Sequence, residues 1–169
     1  MSNTVCYLVL GSNLGDRLDF LQKAIDLLGK SSEIKIQKIS SVYETLSFGN
    51  SNQNNYLNFA VEANSSYKPE QLLVKLKNIE KEIGRSNSDK KWYPREIDID
   101  IVLFGEEIIN SENLTIPHYD LLNRDFFIIP LVQLNRDLIV PGIGQKLADI
   151  DMTIIKTNII RKLELEIKF

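Results

Sequence analysis

Apolar and polar positions follow one another along the chain in blocks whose spacing predicts strands and helices. The first block, Cys6 to Leu10, is short, apolar and followed by Gly11, which is typical of a buried strand. Apolar residues then recur at helical spacing from Leu18 to Leu28, and Gly29 stands where a helix is expected to stop. The chain is therefore predicted to begin with a strand followed by a helix.

The middle of the chain carries the same kinds of signal. Extended segments are predicted at Ile39 to Tyr43 and at Tyr56 to Ala63, with a long polar loop, Leu46 to Asn55, between them. A second helix is predicted from Pro69 to Ile83, because proline is favoured at a helix start and apolar residues follow on one face. Aliphatic and acidic residues alternate from Ile97, and the segment stays apolar to Phe104, which indicates a further strand.

The predicted order is strand, helix, strand, strand, helix, strand. It matches the split βαβ, ferredoxin-like plan (βαββαβ), so we expect an α+β fold with helices covering one face of a mainly antiparallel sheet. Beyond this core, a short helix from Asn123 to Leu134 and a last strand through the alternating apolar residues from Leu163 to Phe169 are expected as extra C-terminal elements. No repeat or linker divides the chain, so residues 1–169 are expected to form a single domain.

Composition narrows the class of protein. Hydrophobic residues make up 43% and charged residues 25%, ordinary values for a soluble globular protein, and such a composition excludes a disordered chain. Lys and Arg total 20 against 23 Asp and Glu, a net charge of -3 that argues against nucleic acid as a partner but allows a local basic pocket. The single cysteine, Cys6, excludes an internal disulfide, and no apolar run is long enough for a membrane helix. We therefore expect a cytoplasmic protein without a membrane partner, and a monomer, since nothing in the sequence demands a second chain.

The most informative local pattern is a strand with two acidic residues, Asp98 and Asp100, at alternate positions. On a strand these two carboxylates point to the same face, where their repulsion is costly unless a cation neutralises them. Oxygen ligands of this kind favour Mg²⁺, which commonly binds one or two carboxylates together with substrate phosphates. A strand that simply turns its polar side to solvent gives the same pattern, so both interpretations stay open at this point.

Other polar and aromatic residues could act on a phosphorylated ligand. His118, the only histidine, and Tyr119 could donate hydrogen bonds to phosphate oxygens, although a lone histidine is more often structural. Tyr56 and Trp92 lie beside polar segments and could either stack on a flat heterocycle or belong to the core. Positive charges that could neutralise a phosphate, or only face solvent, are Arg85, Lys90, Lys91, Arg95 and Arg124.

Seven short motifs together carry a resemblance to one protein family. They are Gly11-Ser-Asn-Leu14, Ser41-Val-Tyr-Glu-Thr45, Asn55-Tyr-Leu-Asn58, Ile79-Glu80 with Gly84-Arg85, Trp92-Tyr-Pro-Arg95-x-x-Asp98-x-Asp100, Pro117-His-Tyr-Asp120 and Asn123-Arg124-x-Phe126. In this order, and over most of the chain, they resemble the 6-hydroxymethyl-7,8-dihydropterin pyrophosphokinases of folate biosynthesis.

The resemblance implies that ATP donates pyrophosphate to the hydroxymethyl group of a reduced pterin, with release of AMP. It implies two Mg²⁺ ions on Asp98 and Asp100, which together with Arg85 and Arg95 form the expected catalytic set. The expected ATP contacts are Glu80, Lys91, Ile101, His118, Tyr119 and Arg124. The expected pterin contacts are Thr45, Leu46, Tyr56, Asn58, Trp92 and Phe126, with Trp92 on a loop that closes over both substrates.

Some positions depart from the residues usual in that family. This chain has Asn87 where the family usually has a second loop arginine, and Leu46 where a proline is common. It has Tyr93 where a small residue is usual, and Lys91 where an arginine is usual. A missing loop cation would slow turnover without abolishing binding if a neighbouring lysine replaces it. The segments Leu46 to Asn55 and Arg85 to Tyr93 are the expected lids that exclude water, and the acceptor of the hydroxyl proton stays open.

Three other functions are compatible with parts of the sequence. A catalytically inactive pterin- or nucleotide-binding module would share the fold; Asn87 favours it, whereas the intact Asp98 and Asp100 disfavour it. A ferredoxin-like RNA-binding module needs exposed strand aromatics and a basic face, and the strand aspartates would repel nucleic-acid phosphates. A metal-dependent nuclease would use the aspartate pair without ATP.

Overall fold

The structure, a computed structural model, describes residues 3–47, 53–85 and 94–169. Its helices and strands, in chain order, are β1 Thr4–Ser12, α1 Arg17–Gly29, β2 Ile34–Ile39, β3 Val42–Thr45, β4 Tyr56–Ser65, α2 Pro69–Ile83, β5 Asp98–Phe104, β6 Ile109–Asn110, β7 Thr115–Ile116, α3 Asp125–Leu134 and β8 Ile159–Leu163. Short 3-10 helices occur at Leu121–Asn123, Leu147–Asp149 and Met152–Ile154.

An antiparallel sheet organises the fold. Strand β1 lies between β5 and β4, strands β3 and β8 continue the sheet beyond β4, and β2 also pairs with β4. The pairings described among these strands are all antiparallel. With its first strand inside the sheet, between the last core strand and β4, the order follows the ferredoxin-like plan. The predicted α+β class is confirmed.

Helices cover both faces of this sheet. The two helices of the ferredoxin-like core, α1 and α2, pack on one face as predicted, and their Leu21 and Leu76 share a buried apolar cluster with Phe59 of β4. Helix α3, one of the extra C-terminal elements, covers the other face, where Phe127 belongs to a second cluster with Val102 of β5. Within the described ranges, no helix is both long and apolar enough to cross a membrane.

The strand predicted at Ile39 to Tyr43 is instead the junction between β2 and β3. At this junction the Ser40 N–H donates to the Ala60 carbonyl at 2.9 Å, and the Ser40 hydroxyl accepts the Ala60 N–H at 2.8 Å. A side-chain oxygen thus takes the place of a backbone acceptor and interrupts the ladder. The prediction of one continuous strand is wrong for this local reason.

The last strand also lies elsewhere than the apolar alternation predicts. It spans Ile159–Leu163 and pairs with β3, so the predicted strand from Leu163 to Phe169 contains only its final residue. Beyond that residue, the N–H and the carbonyl of Lys168 bind the side-chain amide of Gln22 on α1. These backbone groups are satisfied by a helix side chain and form no strand, and the prediction of a strand through Phe169 is wrong.

Candidate functional site

A cavity of about 420 Å³ opens at one end of the central strands. The register brings the end of β1 beside the starts of β4 and β5, since Gly11 pairs with both Asn58 and Asp98. The end of β3 reaches the same place, where Thr45 pairs with Tyr56. The sheet therefore collects side chains from four strands at one opening.

The two strand aspartates point into this cavity from β5, whereas Ile99 between them is fully buried on the other face. The Asp98 carboxylate pairs with two guanidinium groups, with Arg85 Nη1 at 2.8 Å from Oδ1 and Arg95 Nη1 at 2.7 Å from Oδ2. Burial raises the pKa of Asp98, but the charges of Arg85 and Arg95 outweigh it and hold that pKa below its usual range. Asp98 is therefore an ionised carboxylate held by arginines.

The pKa of Asp100 shifts in the opposite direction. Burial and the negative charge of Asp98 raise it to about 7, and the opposing charge of Lys77 does not cancel them. The described cations pair with Asp98 and Glu80, and Asp100 is the carboxylate whose ionised form is disfavoured. A cation bound beside Asp100 would favour its ionised form.

These oxygen donors suit a divalent metal that arrives with a phosphorylated ligand. Over the residues that the structure describes, no group of three or more His, Cys, Asp or Glu is placed to hold a metal ion. Asp98 and Asp100 supply two carboxylates and leave the rest of a coordination sphere to other oxygens. This is how Mg²⁺ is usually bound when substrate phosphates complete its ligands.

Glu80 joins α2 to β5 beneath the aspartates, and it is only 1% exposed. Its Oε1 accepts the backbone N–H of Ile99 and the Lys77 ammonium, both at 2.8 Å, and its Oε2 accepts the Arg85 guanidinium. Gly84 ends α2 in the left-handed conformation, with φ of 109°, and the Arg85 N–H then returns to the Glu80 carbonyl at 3.0 Å. Both carboxylate oxygens of Glu80 are therefore engaged by protein groups, below the predicted catalytic arginine.

His118 lines the cavity as a neutral hydrogen-bond donor. Its Nδ1 accepts the Asp120 N–H at 3.2 Å, so the neutral ring carries its proton on Nε2. Burial lowers the pKa of His118 to about 4; Asp120 opposes this shift and Arg124 adds to it. The ring stacks on Tyr119 with centroids 4.5 Å apart and meets Phe127 edge-on at 4.9 Å. These contacts fix both the protonation state and the orientation of the imidazole.

Aromatic rings from two elements face the same space. Arg124 pairs with Asp120 at 2.5 Å, and its guanidinium lies 5.5 Å from the centre of the Phe126 ring. Tyr56 lines the cavity from β4, and burial, followed by the charge of Asp98, raises the pKa of its hydroxyl. Tyr56 and Phe126 are therefore both available to a flat heterocycle.

A buried amide fixes the polar side of this aromatic region. Asn58 Nδ2 donates to Thr45 Oγ1 at 2.7 Å. A Cβ placed on Gly11 would collide with Asn58 Oδ1 and lie 3.5 Å from Tyr56 Cδ1. Position 11 therefore requires glycine because the Asn58 amide approaches the β1 backbone closely.

Asn13 contacts one of the predicted lids, at Gln53 and Asn54, and also Arg95, which lies two residues after the end of the other. Its Oδ1 accepts the Arg95 N–H at 2.7 Å, and its own N–H donates to the Arg95 carbonyl at 3.1 Å. Its Nδ2 lies 3.4 Å from both Gln53 Oε1 and the Asn54 carbonyl. Residues 48–52 and 86–93, which make up much of both predicted lids, lie outside the described residues.

Most of the predicted site residues meet in this cavity. On the predicted pterin side it is lined by Thr45, Leu46, Tyr56, Asn58 and Phe126. On the predicted phosphate side it is lined by Arg85, Arg95, Asp98, Asp100, His118, Tyr119 and Arg124. The Ile101 side chain belongs to the apolar cluster under α1 and α2, so the cavity does not include it. Lys91 and Trp92 lie outside the described residues.

Sequence reasoning missed several residues of the cavity wall. Lys77 on α2 lines it, with its ammonium 3.9 Å from Asp98 Oδ1. It stands one helical turn before Glu80, so the spacing of the polar residues on α2 was a usable signal. Val9, Gln53 and Phe127 also line the cavity, and no short motif marks them.

A ferredoxin-like sheet opens here onto paired carboxylates, arginines and aromatic rings, a combination suited to an enzyme that acts on a phosphorylated substrate and a flat heterocycle. The chain belongs to the 7,8-dihydro-6-hydroxymethylpterin-pyrophosphokinase (HPPK) family, whose model matches residues 7–136. The resemblance inferred from the motifs is thereby confirmed.

Curated relatives agree with this family. The chain is 48% identical over 135 residues to the 2-amino-4-hydroxy-6-hydroxymethyldihydropteridine pyrophosphokinase of Aquifex aeolicus (strain VF5). The matching region covers 80% of this chain and 82% of the relative. The chain is 40% identical over 132 residues to the enzyme of that name from Bacillus subtilis (strain 168), covering 78% of each. Among solved structures, Plasmodium falciparum HPPK-DHPS with pteroate matches with a TM-score of 0.70 at 15% identity. That match covers 87% of this chain and 43% of the longer one, and it supports the fold alone.

Proposed function

We propose that the protein transfers the pyrophosphate group of ATP to the hydroxymethyl group of 6-hydroxymethyl-7,8-dihydropterin, a step of folate biosynthesis. The pterin hydroxyl oxygen attacks the β-phosphorus and loses its proton, and the bond from that phosphorus to the oxygen of the α-phosphate breaks. The products are AMP and the dihydropterin diphosphate. One observation carries the assignment: a single cavity holds both the carboxylate–arginine cluster around Asp98 and the aromatic region between Tyr56 and Phe126.

The aromatic end of the cavity suits the pterin. A flat heterocycle gains most from stacking against rings, which Tyr56 and Phe126 supply. Its polar edge needs fixed hydrogen-bond partners, and Asn58 is held in place by Thr45 at 2.7 Å. We assign Leu46 to the same wall, and Trp92 stays a prediction for a residue that closes over the ring.

The cationic end suits the phosphates of ATP. Arg85, Arg95 and Arg124 present guanidinium groups that match phosphate oxygens in pairs. The neutral His118 adds an N–H donor without adding charge. Holding the phosphates in line with the attacking hydroxyl is the main contribution that phosphoryl transfer needs from a protein. Tyr119, which lines the cavity, is assigned to ATP as well. Lys91, Glu80 and Ile101 stay assigned to ATP on the resemblance alone.

Asp98 and Asp100 would hold Mg²⁺, in two sites as the family resemblance implies. When bound, the metal neutralises charge on the phosphate oxygens and helps to orient them. The protein contributes two carboxylates on one strand face, kept in position by the buried β5 backbone and by Glu80, which accepts the Ile99 N–H at 2.8 Å. We also propose that residues 1–169 act as one pyrophosphokinase domain and as a monomer.

AMP formation tests this function directly. The assay contains ATP and Mg²⁺, with and without 6-hydroxymethyl-7,8-dihydropterin, and Asp98→Ala serves as the control. We expect AMP that depends on the pterin and that disappears in the control, because that variant removes a metal ligand and the partner of Arg85 and Arg95.

Other outcomes separate the remaining functions. Pterin binding without AMP would indicate the inactive binding module, and Asn87→Arg would then be the first substitution to restore turnover. Cleavage of nucleic acid without ATP would indicate a nuclease. The absence of both pterin binding and AMP formation would reject the proposed reaction.

A further inference from the structure

Asp125 is a buried carboxylate at the start of α3, 3% exposed. Its Oδ2 accepts two backbone N–H groups from the C-terminal part of the chain, that of Asn158 at 2.7 Å and that of Ile159 at 2.9 Å. Its Oδ1 is buried without a hydrogen-bond partner in the described part of the chain. Burying such a group is unfavourable unless it is hydrogen-bonded, so the two bonds to the C-terminal residues are what compensate for its position.

The same C-terminal residues bind the end of β3. The Asn158 carbonyl accepts the Leu46 N–H at 2.9 Å, and Ile159 pairs with Thr45 in the ladder between β8 and β3. Asn158 therefore donates its N–H toward α3 and accepts from β3 with its carbonyl. Residues 156–159, which we call the C-terminal bridge, connect two elements that are far apart in sequence.

Each end of the C-terminal bridge binds an element that lines the cavity. Asp125 stands between Arg124 and Phe126, and the other end of the bridge reaches Thr45 and Leu46; these four neighbours all line the cavity. The bridge lies beyond residues 7–136, the part of the chain that matches the family. It therefore adds to the cavity a support that the matching part does not contain.

We propose that Asp125 is a positioning residue for the pterin site. Through the C-terminal bridge it fixes the wall formed by Arg124 and Phe126 relative to the wall formed by Thr45 and Leu46. This inference rests on the proposed function, because the pterin is the ligand that both walls contact. Dispersion contacts to a flat ring weaken steeply as a gap opens, so a loosened bridge reduces pterin affinity first.

Two substitutions of Asp125 test the carboxylate end of the bridge. Asp125→Leu keeps the branched shape, with a larger volume, and removes the acceptor. Asp125→Asn keeps one oxygen that can accept both N–H groups, since only Oδ2 is used. We expect Asp125→Leu to raise the KM and Kd for 6-hydroxymethyl-7,8-dihydropterin about tenfold, with kcat at saturating pterin within about twofold of wild type. Asp125→Asn should restore pterin affinity to within about twofold of wild type.

The other end of the bridge is tested at Leu46. Leu46→Pro removes the N–H that binds the Asn158 carbonyl, and the preceding Thr45 is already in a strand, the conformation that a following proline favours. Leu46→Ala also shortens the side chain but keeps the N–H. We expect a larger loss of pterin affinity in Leu46→Pro than in Leu46→Ala, by a factor of about five or more. This comparison still tests the bridge if Asp125→Leu does not fold.

Leu134→Ala is the control for a general loss of stability. Leu134 is buried at the opposite end of α3, so its truncation should lower the melting temperature and leave the Kd for the pterin unchanged. If Asp125→Leu lowers the melting temperature but keeps the wild-type Kd, Asp125 only supports the fold and the inference is overturned. Wild-type protein that binds the pterin without forming AMP would reject the proposed reaction while the Kd comparison still decides the role of Asp125. Wild-type protein that does not bind the pterin would overturn both.

Discussion

Arg85 and Arg95 hold the two oxygens of one carboxylate, that of Asp98, at 2.8 and 2.7 Å. These guanidinium groups are the protein's own counter-charge for an acidic strand, and they are also the groups that bind phosphate oxygens well. We expect a change of partners when ATP binds: Asp98, which would then hold Mg²⁺ with Asp100, releases the two arginines, and the arginines move to the phosphates. The arginines would then be ready near the reacting phosphate because Asp98 has kept them there.

Asp100→Asn should separate activity from stability. The substitution removes a negative charge that burial and Asp98 both disfavour, so we expect the melting temperature to rise by about 3 °C. AMP formation should fall at least about a hundredfold, because a metal ligand is lost. Calorimetry and the AMP assay measure the two effects, with the exposed Asp149→Asn as a control that changes neither. A less stable Asp100→Asn protein would contradict the electrostatic account of this face.

Glu80→Gln tests the support beneath Arg85. The variant keeps an oxygen for the Ile99 N–H but removes the charge that pairs with Arg85 and Lys77. We expect the free energy of unfolding to fall by about 2 kcal/mol and kcat to fall about tenfold, because the two cations lose a buried partner. Glu82→Gln, an exposed acid on the same helix, is the matched control. If kcat is unchanged in a destabilised Glu80→Gln protein, Asp98 alone suffices to place Arg85.

Gly11→Ala should block the pterin end of the cavity. An added Cβ collides with Asn58 Oδ1, so the amide must leave the position in which Thr45 holds it. We expect the Kd for the pterin to rise at least about tenfold, and the Kd for ATP to stay within about twofold. Isothermal titration of each ligand checks this. Gly29→Ala is the control, since its added Cβ meets nothing within 4 Å apart from its chain neighbours and the backbone of its own helix, and neither affinity should change.

His118 should make the protein less stable in mild acid. Its folded-state pKa is lowered to about 4, so between pH 7 and 5 the unfolded chain takes up a proton at this residue and the folded chain does not. The neutral ring contributes its full share of the free energy of unfolding above the pKa that His118 has in the unfolded chain. As the pH falls below that value, the free energy of unfolding decreases, by at most about 2 kcal/mol down to pH 5. Denaturant unfolding of wild type and His118→Gln at both pH values measures the difference. A wild type that loses no more stability than the variant would show that the ring is protonated in the folded protein.

The sequence predicted most of the core elements because their periodicity is strong. The alternation along β5 and the apolar stripe of α2 each depend on local spacing, and both elements begin within a residue of the predicted start. The strand break at Ser40 could not be predicted, because it depends on a hydroxyl meeting the Ala60 N–H of another strand. The alternation at the tail was misleading because backbone groups near Phe169 bind a side chain of α1.

The site residues that could be predicted are those that belong to short contiguous motifs. The motif that includes Asp98 and Asp100 predicted their shared face correctly. The partners of Glu80 depend on how α2 packs against β5, which spacing within a helix does not determine. Asp125 is a similar case: from sequence it is an acid in the first turn of a helix, where the dipole favours negative charge. Only the tertiary structure brings it to the C-terminal residues.

The Asn13 carboxamide uses its two ends on different segments, its oxygen toward Arg95 and its nitrogen toward Gln53 and Asn54. A carboxylate would lack the donor and a hydroxyl would be too short to serve both sides. Arg95 belongs to the side assigned to the phosphates, and the segment with Gln53 and Asn54 leads into Tyr56 on the side assigned to the pterin. We expect a shift of either segment to move the other through this one amide, and the two substrate affinities to depend on each other for that reason. Thermodynamic linkage then requires that ATP change the affinity for the pterin by the same factor as the pterin changes the affinity for ATP.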